Sequence, residues 1–193
     1  MIFPLRNDLN MAKHEFGHHF LARHGGFETG YVKLTPAGGG SEIVTDRKLE
    51  TVDEVAAIAE DRIRVLYAGV MAESVVNGKV DQTIAIQLIN NEAGKGDFML
   101  GRQLVALIRN IRHMDLPLNP RGDAMEADER RLWDETIVLV EKYTAGVDTM
   151  ATQLLVQDGL TFAKSTLDRH SLIRQYFPYH LEPDTPGLGD LSL

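Results

Sequence analysis

The sequence contains no cysteine. Disulfide bridges and thiolate metal ligands are thereby excluded, and any zinc site must be built from histidine and carboxylate side chains. No apolar run approaches the roughly 20 residues that a membrane-spanning helix requires, and residues 1–5 are too short and uncharged a stretch for a signal peptide. A cytoplasmic protein with no membrane segment is the expectation. Lysine and arginine are outnumbered by aspartate and glutamate, 20 against 28, for a net charge of −8, and no basic cluster breaks this balance. Phosphate backbones demand such a cluster, so nucleic acid is not an expected partner. Internal repeats, heptads and low-complexity tracts are also missing. What is present is 193 residues with 44% hydrophobic content, enough to bury one core with an attached helical layer but not two independent domains.

Close to the N-terminus stands His14-Glu15-Phe16-Gly17-His18, a His-Glu-x-x-His pattern. Helical residues four apart lie one above the other, so His14 and His18 can present two imidazole nitrogens to one ion. Glu15 lies about 100° round from His14. That offset keeps it from being a ligand, yet leaves it within reach of a water at the ion, where it can serve as general base. Asn7 or Asp8 can cap the helix, no proline interrupts it and Gly25-Gly26 can end it, which predicts a helix from about Asp8 to His24. Ala12, Phe16 and Phe20 fall roughly opposite the two histidines, so one face is expected to pack while the other faces a site. Gly17, a poor helix former, marks a close contact inside that helix.

Beyond Gly26, two short β-prone stretches, Phe27 to Leu34 and Ser41 to Thr45, are joined by Thr35-Pro36-Ala37-Gly38-Gly39-Gly40 and read as a hairpin. The glycine run lacks a following helix start and a P-loop lysine, so nucleotide binding is not expected. Thr51 with Glu54 forms a capping box, and apolar spacing at Val55, Ile58, Ile63, Leu66, Val70 and Met71 predicts a long helix ending near Gly78. Ala68, Gly69 and Ala72 permit a close helix contact there. Glu73, beside them, is a metal ligand, an acceptor behind a ligating histidine, or an exposed residue near a helix end. Gly94-Lys95-Gly96 reads as a mobile loop, and Asp97 as the residue opening and capping the next helix, with Leu100, Leu104, Leu107, Ile108 and Ile111 on its buried stripe. His113 and the remaining scattered histidines are expected at the surface or as caps. The proline-rich stretch from Leu116 to Gly122 marks a boundary; a helix from about Ala124 to Gln157, bent at Gly146, and a shorter one from about Leu160 to Tyr176 follow. Residues 178–193 read as an irregular tail.

Taken together, these blocks resemble the peptidase domain of the FtsH family of ATP-dependent zinc metalloproteases. His14-Glu15-Phe16-Gly17-His18 is similar to the family's His-Glu-Ala-Gly-His, and Tyr31-Val32-Lys33-Leu34-Thr35-Pro36 to its strand ending in proline before a glycine-bearing turn. Leu66-Tyr67-Ala68-Gly69-Val70-Met71-Ala72-Glu73 resembles its small-residue helix with Ala-Glu, and Gly96-Asp97-Phe98 its Asn-Asp-Leu. The stretch from Val138 to Leu155, then Leu160-Thr161, is similar to its last helices. The resemblance implies that Asp97 is the third zinc ligand and that Glu73 supports the site from behind. Gly96, Ser74, Phe16 and His19 depart from the family's pattern, and neither an ATPase module nor a Walker motif is found in the sequence. ATP-driven unfolding is not expected of these residues themselves, and an ATPase acting in trans is one partner compatible with the resemblance.

The expected fold is mainly α: a helical zinc-metallopeptidase domain with a small β-hairpin or sheet and a C-terminal helical layer. Residues 1–177 form one FtsH-like unit, with 1–115 the metal-site part and 124–177 the C-terminal helices. His14, His18 and Asp97 would hold Zn²⁺, Glu15 would act as general base on a peptide or unfolded-protein substrate, and the strand carrying Tyr31, Val32, Lys33 and Leu34 would align that substrate by main-chain pairing. An oligomer is compatible with this reading. Two alternatives stand beside it: a stand-alone metal-dependent hydrolase or regulator-cleaving protease with no ATPase partner, and a catalytically silent interaction module that retains the fold.

Overall fold

The spacing and caps of the sequence produce a mainly helical fold with a small antiparallel sheet, described by a computed structural model for residues 8–90 and 92–178. The first helix, α1 (Asp8–His24), ends where Gly26 takes a left-handed φ of 74°. The expected cap at Asn7 lies outside the described residues. Next come β1 (Glu28–Thr35) and β2 (Gly38–Val44), paired antiparallel with Thr35 opposite Gly38. The turn is therefore Pro36-Ala37 alone. The three glycines expected in the loop belong to β2, because closing the hairpin over two residues draws them into the ladder.

Helix α2 (Val52–Glu73) starts as expected, with Thr51 and Glu54 each bonding the other's backbone. Its predicted end near Gly78 is corrected to Glu73. Val75–Val76 and Lys79–Val80 form a two-stranded ribbon, β3 and β4, across Asn77-Gly78, whose φ angles of 51° and 78° are the paired left-handed values of a tight hairpin turn. Asp81 accepts hydrogen bonds from the amides of Thr83 and Ile84 and so caps α3 (Gln82–Asn90). Helix α4 (Glu92–Arg112) follows. The expected loop at Gly94-Lys95-Gly96 is thus helix, and Asp97 lies inside α4 rather than at its start. The physical reason is close approach: a Cβ at Gly94 would lie 2.1 Å from a Val70 methyl. Contact with α2 overrides the weak helical propensity of glycine, about 1 kcal/mol.

Helix α5 (Leu118–Val156) begins earlier than expected, because a proline in a first turn costs no intrahelical hydrogen bond. It runs unbroken through Gly146, where the missing side chain makes room for Phe20 and Tyr176. The single helix expected from Leu160 to Tyr176 is corrected to a 3-10 turn (Asp158–Leu160), a short strand β5 (Thr161–Phe162), α6 (Lys164–Arg169) and α7 (Ser171–Tyr176). Left-handed φ values at Gly159 and Leu160 turn the chain so that β5 pairs with Val32 and Lys33 of β1. The sheet order is β2-β1-β5. Of the irregular tail, residues 179–193 lie outside the described residues.

One contiguous core runs from Ala12 to Phe177 and joins the sheet to helices at both ends of the chain. Helix α1 sits at its centre, against α2, α5, β1 and β2. Every residue of α1 from His14 to Arg23 is buried, and His14, Glu15 and His18 lie on the side that lines a cleft, opposite the packed Phe16 and Phe20. Gly17 is where α1 comes closest to the α2 backbone, since a Cβ there would lie 2.6 Å from the Ala68 carbonyl oxygen. Among the described residues no helix is long and apolar enough to cross a membrane.

Candidate metal centre

His14 and His18, one turn apart on buried α1, point their Nε2 atoms at the same carboxylate oxygen. Asp97 Oδ2 of α4 lies 3.3 Å from each. Among the described residues these three side chains are the group whose donor atoms converge, all within 4.8 Å of one another. Ligand atoms on a tetrahedron with bonds of about 2.0–2.1 Å sit roughly 3.3 Å apart, so the spacing suits zinc. Glycine makes the room: a Cβ at Gly69 of α2 would come within 2.6 Å of the Nε2 atoms of both His14 and His18.

The far side of each imidazole is held as well. His18 Nδ1 donates to the Val65 carbonyl at 2.7 Å, which leaves Nε2 as the lone-pair nitrogen. Glu73 Oε1 lies 3.1 Å from His14 Nδ1, and its side chain is only 2% exposed. Of the three readings open for Glu73, this places it behind His14 and buried. Both histidines are therefore oriented by α2, a task that partners behind ligating imidazoles commonly perform.

The electrostatics favour a positive charge at the convergence point. Burial alone would raise the Asp97 carboxyl, but hydrogen bonds with His14 and His18 outweigh it and hold the group well below the usual aspartate range. Burial likewise works to lower His18, and the contact with Asp97 reverses this and raises it.

Glu15 is buried and packs against Gly39 of β2, where a Cβ would lie 2.5 Å from its carboxylate oxygen. The site opens into a cleft of about 390 Å³ lined by His14, Glu15, Gly39, Ser41, Arg62 and Asp97, among others. The glycines at the start of β2 thus border the same cleft as His14, His18 and Asp97. Tyr31, Val32, Lys33 and Leu34 lie elsewhere: β1 is the middle strand, paired with β2 on one side and with β5 at Val32 and Lys33 on the other. Val32 and Lys33 of the expected substrate strand are thus paired on both sides, and none of Tyr31, Val32, Lys33 and Leu34 lines the cleft. The free edge beside the cleft is β2.

Arg62 carries no motif. Its signal in the sequence is a cation at the middle of Ile58, Arg62 and Leu66, an i, i+4, i+8 stripe otherwise apolar. His19, by contrast, is fully buried, accepts a hydrogen bond from Arg23 and has its pKa pushed down to about 3 by burial first and the Arg23 charge second. His170 caps α7 through the Leu172 amide, as expected of an outlying histidine.

Neither a protein-family model nor a curated protein matches the chain.

Proposed function

We propose that this chain is a zinc-dependent metalloendopeptidase. The observation that carries the reading is the 3.3 Å spacing of Asp97 Oδ2 from the Nε2 atoms of His14 and His18, with Glu15 beside them in the same cleft. His14 and His18 present neutral nitrogens, Asp97 contributes the anion, and Glu73 and the Val65 carbonyl keep both rings in register. When bound there, zinc supplies Lewis acidity, lowering the pKa of a water to about 7 and polarising a carbonyl. Glu15 takes the proton of the attacking water and returns it to the leaving amine. The free edge of β2 aligns an extended peptide by main-chain pairing beside Glu15. The resemblance to FtsH peptidase domains supports the same ligand set, and whether a partner ATPase delivers substrate in trans is a separate property of the assembly.

Glu15→Gln is the direct test, since the amide is nearly isosteric but cannot accept the proton. The zinc-loaded variant is expected to keep its metal content and fold and to lose casein hydrolysis, with a chelator abolishing the activity of the parent. A variant that cleaved as fast as the parent would overturn the assignment of the base.

A further inference from the structure

We infer that Arg62 is a substrate-anchoring residue that receives a carboxylate of the bound peptide. The inference rests on the cleft beside the metal centre being the peptide-binding site. Arg62, on α2, is half-buried and lines this cleft with Glu15 and Asp97. Its Nη1 is buried and makes no hydrogen bond among the described residues. No ion pair joins it to Asp97, although the aspartate's charge is felt at the guanidinium, where burial otherwise works to lower the pKa.

The surroundings account for the missing acceptor among the described residues. On its other side Arg62 borders a largely apolar pocket lined by Val55, Ile58, Leu104 and Leu107, in which Thr45 carries the one side-chain acceptor and makes no hydrogen bond to it. Toward the cleft, the two carboxylates are committed to other work. Asp97 is held by the histidines, and Glu15 needs its lone pairs for a proton. A guanidinium N–H without a partner is costly, and a carboxylate in the cleft can take the guanidinium in two parallel hydrogen bonds once the half-buried side chain turns Nη1 out of its solvent-sealed position. The requirement is local, because the chain as a whole carries a net charge of −8 and would not gather anionic peptides by long-range attraction. The anchoring carboxylate comes either from an acidic side chain near the cleaved bond or from a free C-terminus.

The two sources are separated by peptide binding to the zinc-loaded Glu15→Gln protein, measured by calorimetry without turnover. The probes are a neutral, end-blocked hexapeptide containing glutamine, a series with one glutamate substituted at each position in turn, and the neutral peptide with a free C-terminal carboxylate. At least one carboxylate peptide is expected to bind roughly ten- to a hundredfold more tightly than the neutral one. Adding Arg62→Gln should abolish that preference while leaving zinc content, melting temperature and affinity for the neutral peptide unchanged. Arg62→Lys, which keeps the charge but not the planar fork, should restore part of it. The inference is overturned if no carboxylate peptide is preferred, if the preference survives Arg62→Gln, or if Arg62→Gln alone slows cleavage of neutral and charged peptides equally. An Arg62-dependent preference in a protein that hydrolyses none of these peptides would sustain the inference and sink the peptidase reading.

Discussion

At the centre of the site the individual residues are not interchangeable, although several carry the same charge. Asp97 stands 3.3 Å from both imidazole nitrogens, whereas Glu73 reaches only the rear nitrogen of His14. Asp97→Asn should therefore weaken zinc binding more than Glu73→Gln, because an anion at the ion contributes its charge directly while a partner behind a ligand changes affinity by about 10–100-fold. Parallel zinc titrations decide the ranking, and the reverse order would transfer the ligand role to Glu73. Gly69→Ala makes a sharper separation of binding from stability. The added methyl would lie 2.6 Å from the Nε2 atoms of both His14 and His18, while alanine in a helix interior is favoured by up to about 1 kcal/mol over glycine. Zinc affinity should fall at least tenfold, as an order of magnitude, with little change in the melting of the metal-free protein. The histidines and Glu15 are legible as a site from their spacing alone. Asp97 is not: as a single aspartate after a glycine, it reads as a helix cap, and only family resemblance or the fold ranks it above Glu73.

Helices α2, α4 and α5 are tied together by an ion network that lies away from the metal centre. Glu60 of α2 accepts from Arg112 of α4 and Arg131 of α5, and Arg64 of α2 reaches Glu135 of α5 at 2.6 Å. Burial alone would raise the Glu60 and Glu135 carboxyls, but the arginine hydrogen bonds outweigh it and hold both below the usual glutamate value of 4.5. The folded protein thus binds these protons less readily than the unfolded chain. The stabilisation is present above about pH 4.5, the unfolded value, and is lost as the pH falls through the lower folded values. Solvent screening at these partly exposed groups limits it to about 1 kcal/mol. Denaturant midpoints measured from pH 7 down to pH 3 should fall less steeply for Glu60→Gln than for the parent, and added salt should narrow the difference. Identical slopes would show that the network contributes nothing. At this scale the sequence is informative where caps and periodicity act locally, as at Thr51, Glu54 and the apolar stripe of α2. It misleads where distant contacts decide: Gly94 is a loop-former taken alone, and helix where it packs against Val70.

For the molecule as a whole, a metal held by His14, His18 and Asp97 would be a long-range crosslink between α1 and α4, with α2 holding both histidines from behind. Zinc that binds only the folded state stabilises it by mass action, by about 2.7 kcal/mol at a hundredfold excess over the dissociation constant. For a domain of this size that corresponds to a rise in melting temperature of roughly 5–10 °C. The rise should be reversed by chelator and absent in His18→Ala. A parent protein whose melting is indifferent to zinc would contradict a site of this geometry.

The sequence by itself determined the mainly helical class, the small hairpin, the placement of His14, Glu15 and His18 on one helix, and the exclusion of cysteine ligands. These follow from spacings of a few residues, over which helical periodicity and capping chemistry are strong enough to act alone. Tertiary structure decided the rest. It placed Asp97 within α4 and brought it to the two histidines, set Glu73 behind His14, paired β5 with Val32 and Lys33 of β1 while β2 kept a free edge, and left Arg62 lining the cleft without an acceptor among the described residues. Each of these depends on contacts between elements far apart in the chain, where close packing around Gly17, Gly69 and Gly94 overrides what any local stretch prefers.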